Sequence, residues 1–141
     1  MKRSPVKQWP VKILLVHPKA EFMQGKKLII SADCAVLVNK EISERFAKET
    51  VLIGCPMLED PRRMFEKIKL IFSETKAEEA EVYTMEVPCC IAMHMMVEKA
   101  RKEGIDVRNY IVRVSGEVEE YRGFIDERMI EAERRAHEGG I

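Results

Sequence analysis

Residues 50–72 read TVLIGCPMLEDPRRMFEKIKLIF, one strand followed by one helix. Thr50, Val51, Leu52 and Ile53 form a short run rich in β-branched side chains, as in a buried strand, and Gly54-Cys55-Pro56 breaks it sharply. Asp60 then stands where a helix N-cap belongs, with Pro61 in the first turn. Beyond it Met64, Phe65, Ile68, Ile71 and Phe72 share one face at the helical period. A strand feeding a helix in this way is the unit of an α/β fold.

The pattern recurs on both sides. Upstream, residues 28–32 read as a strand that ends before Asp33-Cys34, and Val38, Ile42 and Phe46 continue at helical spacing. Residues 11–16 are a compact apolar run ending at His17-Pro18 and read as a first strand, although KAEFMQGK is a short link for a parallel crossover. Downstream, residues 81–87 form a strand stopped by Pro88, and a helix runs from near Cys89 to Glu103 with Gly104 as its stop. Residues 107–114 alternate late in their run, as a half-exposed edge strand does. Residues 121–137 form a last amphipathic helix with Phe124, Ile125, Met129 and Ala132 on its apolar side, ended by Gly139-Gly140. This order predicts an α/β fold, a three-layer α/β/α sandwich on a mostly parallel sheet of about five strands. The expected organisation is one domain over residues 1–141, with residues 1–10 as an N-terminal extension and the C-terminal helix within residues 119–141.

The 141 residues suffice for a sizeable core, with 46% hydrophobic side chains. The 24 basic and 24 acidic residues cancel, so the chain lacks the basic footprint of a nucleic-acid binder. The apolar stretch near the start is short and is broken by Pro10 and Lys12, which argues against a signal peptide or a membrane span. The expected location is the cytoplasm.

Each of the four cysteines follows an apolar run: Cys34 after KLIISAD, Cys55 after TVLIG, and Cys89 with Cys90 after EVYTMEVP. In a parallel α/β sheet the carboxyl ends of the strands open on one edge, where ligands collect. A cytoplasmic cysteine at a special position is more often a metal ligand or reactive thiol than half of a disulfide. Sulfur donors suit zinc and iron–sulfur clusters alike. The alternative is bland, since unpaired cysteine is among the most buried residue types. Neighbouring side chains diverge, so it is open whether Cys89 and Cys90 both reach one guest. His17, Asp33 and His94 are accessory ligand candidates. Asp33 also suits a turn, and His94, one helical turn beyond Cys90, also suits a core position. Met93, Met95 and Met96 read as packing. No G-x-G-x-x-G, G-x-x-x-x-G-K-S/T, G-x-S-x-G or C-x-x-C occurs.

The motifs Trp9-Pro10-Val11, Asp33-Cys34, Ile53-Gly54-Cys55-Pro56 and Glu86-Val87-Pro88-Cys89-Cys90 are similar to those of a known group. The chain resembles the C-terminal portion of prokaryotic iron–sulfur proteins labelled 4Fe–4S ferredoxin-like, over roughly residues 9–114. The resemblance implies a shared fold, a shared cysteine site formed by Cys34, Cys55, Cys89 and Cys90, and an anaerobic redox setting. Relatives carry a preceding ferredoxin module that has no counterpart in this sequence. They also have small residues after the double cysteine, where this chain has Ile91 and Ala92.

Three functions follow as expectations, with enzymatic activity left open. The first is a redox or electron-transfer domain that holds an iron–sulfur cluster, or zinc, and works with a redox partner protein. The second is a metal-free thiol enzyme or sensor with one nucleophilic and one resolving cysteine. The third is a non-catalytic interaction module whose C-terminal helix binds a partner or a second copy of the chain.

Overall fold

The computed structural model describes residues 11–45, 48–101, 103–123 and 125–138, with Cys89, His137 and Glu138 described by their backbone alone. Phe46, Phe124 and Gly139-Gly140 lie outside the described residues, as does the extension over residues 1–10. The elements run β1 (Lys27–Ala32), α1 (Asp33–Val38), α2 (Lys40–Glu44), β2 (Thr50–Gly54), α3 (Pro61–Glu74), β3 (Glu79–Met85), α4 (Pro88–Ala100), β4 (Asp106–Val112), β5 (Val118–Glu120) and α5 (Glu127–Glu138). They build one sheet in the order β2-β1-β3-β4-β5. β2, β1, β3 and β4 are parallel, and β5 joins antiparallel.

The central strands are nearly continuous apolar runs because helices cover both of their faces. Alternate residues of β1 supply two cores. Leu28 and Ile30 pack with Met64, Ile68 and Phe72 of α3 and Met93 and Val97 of α4. Ile29 points the other way, toward Ala35 of α1 and Ile42 of α2. The α/β/α sandwich is therefore as expected.

α3 is the element closest to its reading. Asp60 Oδ1 accepts from the Arg62 N–H at 2.9 Å, Pro61 opens the helix, and Met64, Ile68, Ile71 and Phe72 are buried. Replacing Asp60 with alanine removes this cap and is expected to cost about 1 kcal/mol in denaturant unfolding. A midpoint equal to that of the natural chain would show that the cap is dispensable.

Several expectations need correction. Residues 11–16 are not a strand, because Lys12 makes one isolated parallel bridge to Ile53 and the chain then turns. The Leu15 and Val16 N–H groups both donate to the Lys12 carbonyl. Ile13 and Val16 are buried while Leu15 is exposed, a turn's spacing of three and not a strand's spacing of two. The fifth strand is instead β5, reached through a tight turn in which Gly116 takes φ +96°. β4 is consequently interior and not an edge. The helix expected after Cys34 is two short ones, because Asn39 leaves the helical conformation and its side chain caps α2 through the Ile42 N–H. α4 stops at Ala100, before the expected Glu103. α5 starts at Glu127 and not near Tyr121, since Gly123 turns the chain at φ +91° and Asp126 accepts from the Met129 N–H.

Candidate cysteine site at the carboxyl edge

Register places the cysteine motifs side by side. Ala32 of β1 faces Gly54 of β2, and Ser31 faces Tyr83 of β3. Cys55 therefore follows one neighbour of β1, Cys34 follows β1 itself, and Cys89-Cys90 open the helix after the other neighbour. The chain leaves β1 toward β2 and returns to β3 on the opposite flank, so the strand order reverses at this edge. Such a reversal opens the crevice in which α/β ligands collect.

Within the crevice the side chains differ. Cys34 is exposed and Cys55 half-buried. Cys90 is 8% exposed and belongs to the core with Ala35, Tyr83, Met85 and Val112. The side chain of Cys89 lies outside the described residues. Among the described residues, no three His, Cys, Asp or Glu side chains stand together so as to hold a metal ion. The apolar side chain of Leu37 is exposed on α1, which carries Cys34, and those of Met57 and Leu58 on the loop that follows Cys55.

Asp33 is engaged by Lys12, whose Nζ lies 3.0 Å from Oδ1 and 2.9 Å from Oδ2. The same Nζ is 3.1 Å from Glu59 Oε1. Burial alone would lower the Lys12 pKa, but its hydrogen bonds to Asp33 and Glu59 outweigh this and raise it, so the ammonium stays charged. Glu59 Oε2 in turn accepts the Cys55 N–H at 2.6 Å.

His17 does not reach this rim. Its Nδ1 accepts from the Lys19 N–H, and Lys19 pairs with Glu74, the last residue of α3. α3 begins at the carboxyl edge after β2 and ends where β3 begins, so Glu74 and its partners lie at the opposite, amino edge. His94 shares α4 with Cys90 but is a core residue. Nε2 lies 2.8 Å from Thr84 Oγ1 and Nδ1 2.8 Å from Asn109 Oδ1, while Tyr121 stacks on the ring at 4.7 Å. With Asn109 Oδ1 accepting, Nδ1 carries the proton and Nε2 accepts from the Thr84 hydroxyl. Burial lowers the His94 pKa from 6.5 to about 4, against the opposing Asn109 bond. Thr84, His94 and Asn109 have the connectivity of a nucleophile, base and orienting group, yet Thr84 is fully buried within β3, where no substrate arrives. Met93 and Met96 are buried as packing residues and Met95 is exposed.

A family model for a Rossmann-like domain matches residues 20–140. The chain belongs to the Rossmann-like domain family. An uncharacterized protein of Archaeoglobus fulgidus is 66% identical over 137 residues, covering 95% of this chain and 97% of that protein. No solved structure matches the chain. This Rossmann-like domain turns from β1 into α1 through Ala32-Asp33-Cys34, without the glycines that let a backbone approach a dinucleotide phosphate. Among the described residues no helix is long and apolar enough to cross a membrane.

Some residues of the Rossmann-like domain's carboxyl edge escaped the sequence reading. Lys12 read only as an interruption of an apolar stretch, and Glu59 drew no reading of its own. Glu86 sits between Met85 and Val87, just ahead of the double cysteine, and is buried. Its Oε2 accepts from Arg113 Nη1 at 2.8 Å and its Oε1 from the Val114 N–H at 3.0 Å. Arg113 also reaches Glu119 and Asp126, which ties α5 to the same edge. A carboxylate inside an apolar run was the available signal, because such a group survives burial only when paired. A cleft of about 600 Å³ opens between Glu86, Val114 and one side of α5, and none of the described cysteine side chains lines it.

Proposed function

We propose that this Rossmann-like domain is a cytoplasmic redox or electron-transfer domain whose carboxyl-edge cysteines bind an iron–sulfur cluster, or in second place zinc. One observation supports the reading: the Cys55, Cys34 and Cys89-Cys90 motifs follow three adjacent parallel strands at the edge where the strand order reverses. The donor chemistry fits, since thiolates are the ligands that both guests favour. Cys34 and Cys55 are the accessible donors, and Cys90 joins only by leaving the core. A bound cluster supplies one-electron transfer, and a redox partner protein supplies or takes the electron. The similarity of the cysteine motifs to the ferredoxin-like group supports the same assignment.

Anaerobic reconstitution with ferrous iron and sulfide is expected to yield a brown protein with stoichiometric iron and sulfide, and Cys55→Ser to lose most of that colour. A colourless natural chain that retains neither iron nor zinc removes the proposal. A second reading, a metal-free dithiol, is favoured by the accessibility of Cys34. Thiol titration with and without reductant separates the two: a reversible loss of two thiols in metal-free protein supports the dithiol, and four unchanging thiols argue against it. An interaction module remains the third reading. Met129 of the expected apolar stripe packs within the chain against Ile91 and Ile111, while Ile125 and Ile130 stay exposed.

A further inference from the structure

Lys12 belongs to no strand or helix, yet its backbone is pinned. The Ile13 N–H donates to the Ile53 carbonyl at 2.9 Å, and the Ile53 N–H donates to the Val11 carbonyl at 3.0 Å. This bridge holds the Lys12 side chain at the carboxyl end of β2. From there one ammonium ion meets carboxylates from the start of α1 and from the loop after β2. Asp33 is the residue before Cys34, and Glu59 is the residue that holds the Cys55 amide. The side chains of Lys12, Asp33 and Glu59 are 31%, 29% and 15% exposed, so their attraction is screened less than on open surface.

Gly54 carries a second, independent sign of the same arrangement. A Cβ there would lie 3.0 Å from Glu59 Oε2, 3.0 Å from Ile13 Cδ1 and 2.8 Å from Met64 Cε. Glycine at this position leaves room for the Glu59 carboxylate to descend onto the Cys55 amide.

We infer that Lys12 is a positioning residue of the thiol rim: it ties the first turn of α1, which carries Cys34, to the Cys55 loop through Asp33 and Glu59. The role rests on the reading of the rim as a ligand site. The contact has a chemical consequence as well. Both Asp33 oxygens and one Glu59 oxygen face the ammonium, and the other Glu59 oxygen faces the Cys55 amide, so a guest at the rim meets sulfur in preference to carboxylate. Groups that orient metal ligands in this manner change affinity by about 10- to 100-fold when removed.

The test uses the full chain and two readouts. In the metal-free protein, amide hydrogen exchange at Cys55 is expected to quicken about tenfold in Lys12→Met, with Ile30 in the sheet centre as the control for general loosening. In a zinc titration against a chromophoric chelator, Lys12→Met is expected to lose about 10- to 100-fold in affinity, and Lys12→Arg to recover most of it. An unchanged Cys55 exchange rate in Lys12→Met overturns the role whatever the zinc result. Faster exchange with unchanged zinc affinity overturns it too, leaving Lys12 a structural residue. If the natural chain binds neither zinc nor cluster while the exchange change appears with Ile30 steady, the metal reading falls and the tie through Lys12 stands.

Discussion

Arg113→Met is expected to destabilise the fold by about 3–5 kcal/mol, enough to lower the melting temperature by about 10 to 20 °C. The side chains of Arg113 and Glu86 are 6% and 3% exposed. Without the guanidinium, the Glu86 carboxylate keeps the Val114 N–H but has no counter-ion and, at 3% exposure, little access to water. Glu119 and Asp126 lose the same partner, but at 40% and 32% exposure they can rehydrate. The cost therefore concentrates on Glu86. Glu86→Gln should cost less, about 1–3 kcal/mol, since Arg113 retains Glu119 and Asp126. The double variant Arg113→Met with Glu86→Gln should be more stable than Arg113→Met alone, because it removes the stranded charge. Urea unfolding of the three variants decides the matter. A single Arg113→Met midpoint near that of the natural chain would mean that Glu86 finds water or a proton after all.

Acid should weaken the protein through His94 well before the carboxylates titrate. Its pKa falls from 6.5 in the unfolded chain to about 4 in the fold, chiefly through burial. Between those values the unfolded chain binds a proton that the native state refuses, so stability rises with pH across the window. The contribution is complete above about 6.5 and is lost as pH falls toward about 4, amounting to about 3 kcal/mol. Glu49, Glu81, Glu119 and Asp126 have lowered pKa values, each with an arginine partner among the causes, and their contributions fade only below the ordinary carboxylate range. His94→Gln, which keeps polar atoms facing Thr84 and Asn109, should flatten the slope in the upper window and leave the lower one. Parallel curves for His94→Gln and the natural chain would sink the assignment.

These two effects mark where the sequence was legible and where it was not. α3 was readable because everything it needs is local: Asp60, Pro61 and five apolar residues at one period. The run over residues 11–16 has the composition of a strand, but only one residue finds a partner, and pairing is a long-range fact. β5 was invisible because Val118, Glu119 and Glu120 are too short and too charged to signal a strand without the Gly116 turn. The cysteines announced themselves by position, and the topology then set their three motifs on neighbouring strands. Cys90 turns into the core, which its place after an apolar run did not reveal. Lys12 and Arg113 were read as breaks or surface charge, since their partners come from segments 21 and 27 residues away.

The two margins of the sheet bear on how the molecule behaves in a crowded solution. An unpaired strand border is a template on which other chains can add, the first step toward aggregates. One border here is β5, three residues long and carrying two glutamates. The other is β2, crossed near one end by the Lys12 bridge at Ile53 and capped at the other where the Thr50 hydroxyl donates to the Phe22 carbonyl at 2.7 Å. The segment that failed to become a strand thus works as a selvedge, closing the border to foreign β-structure while helices guard the faces.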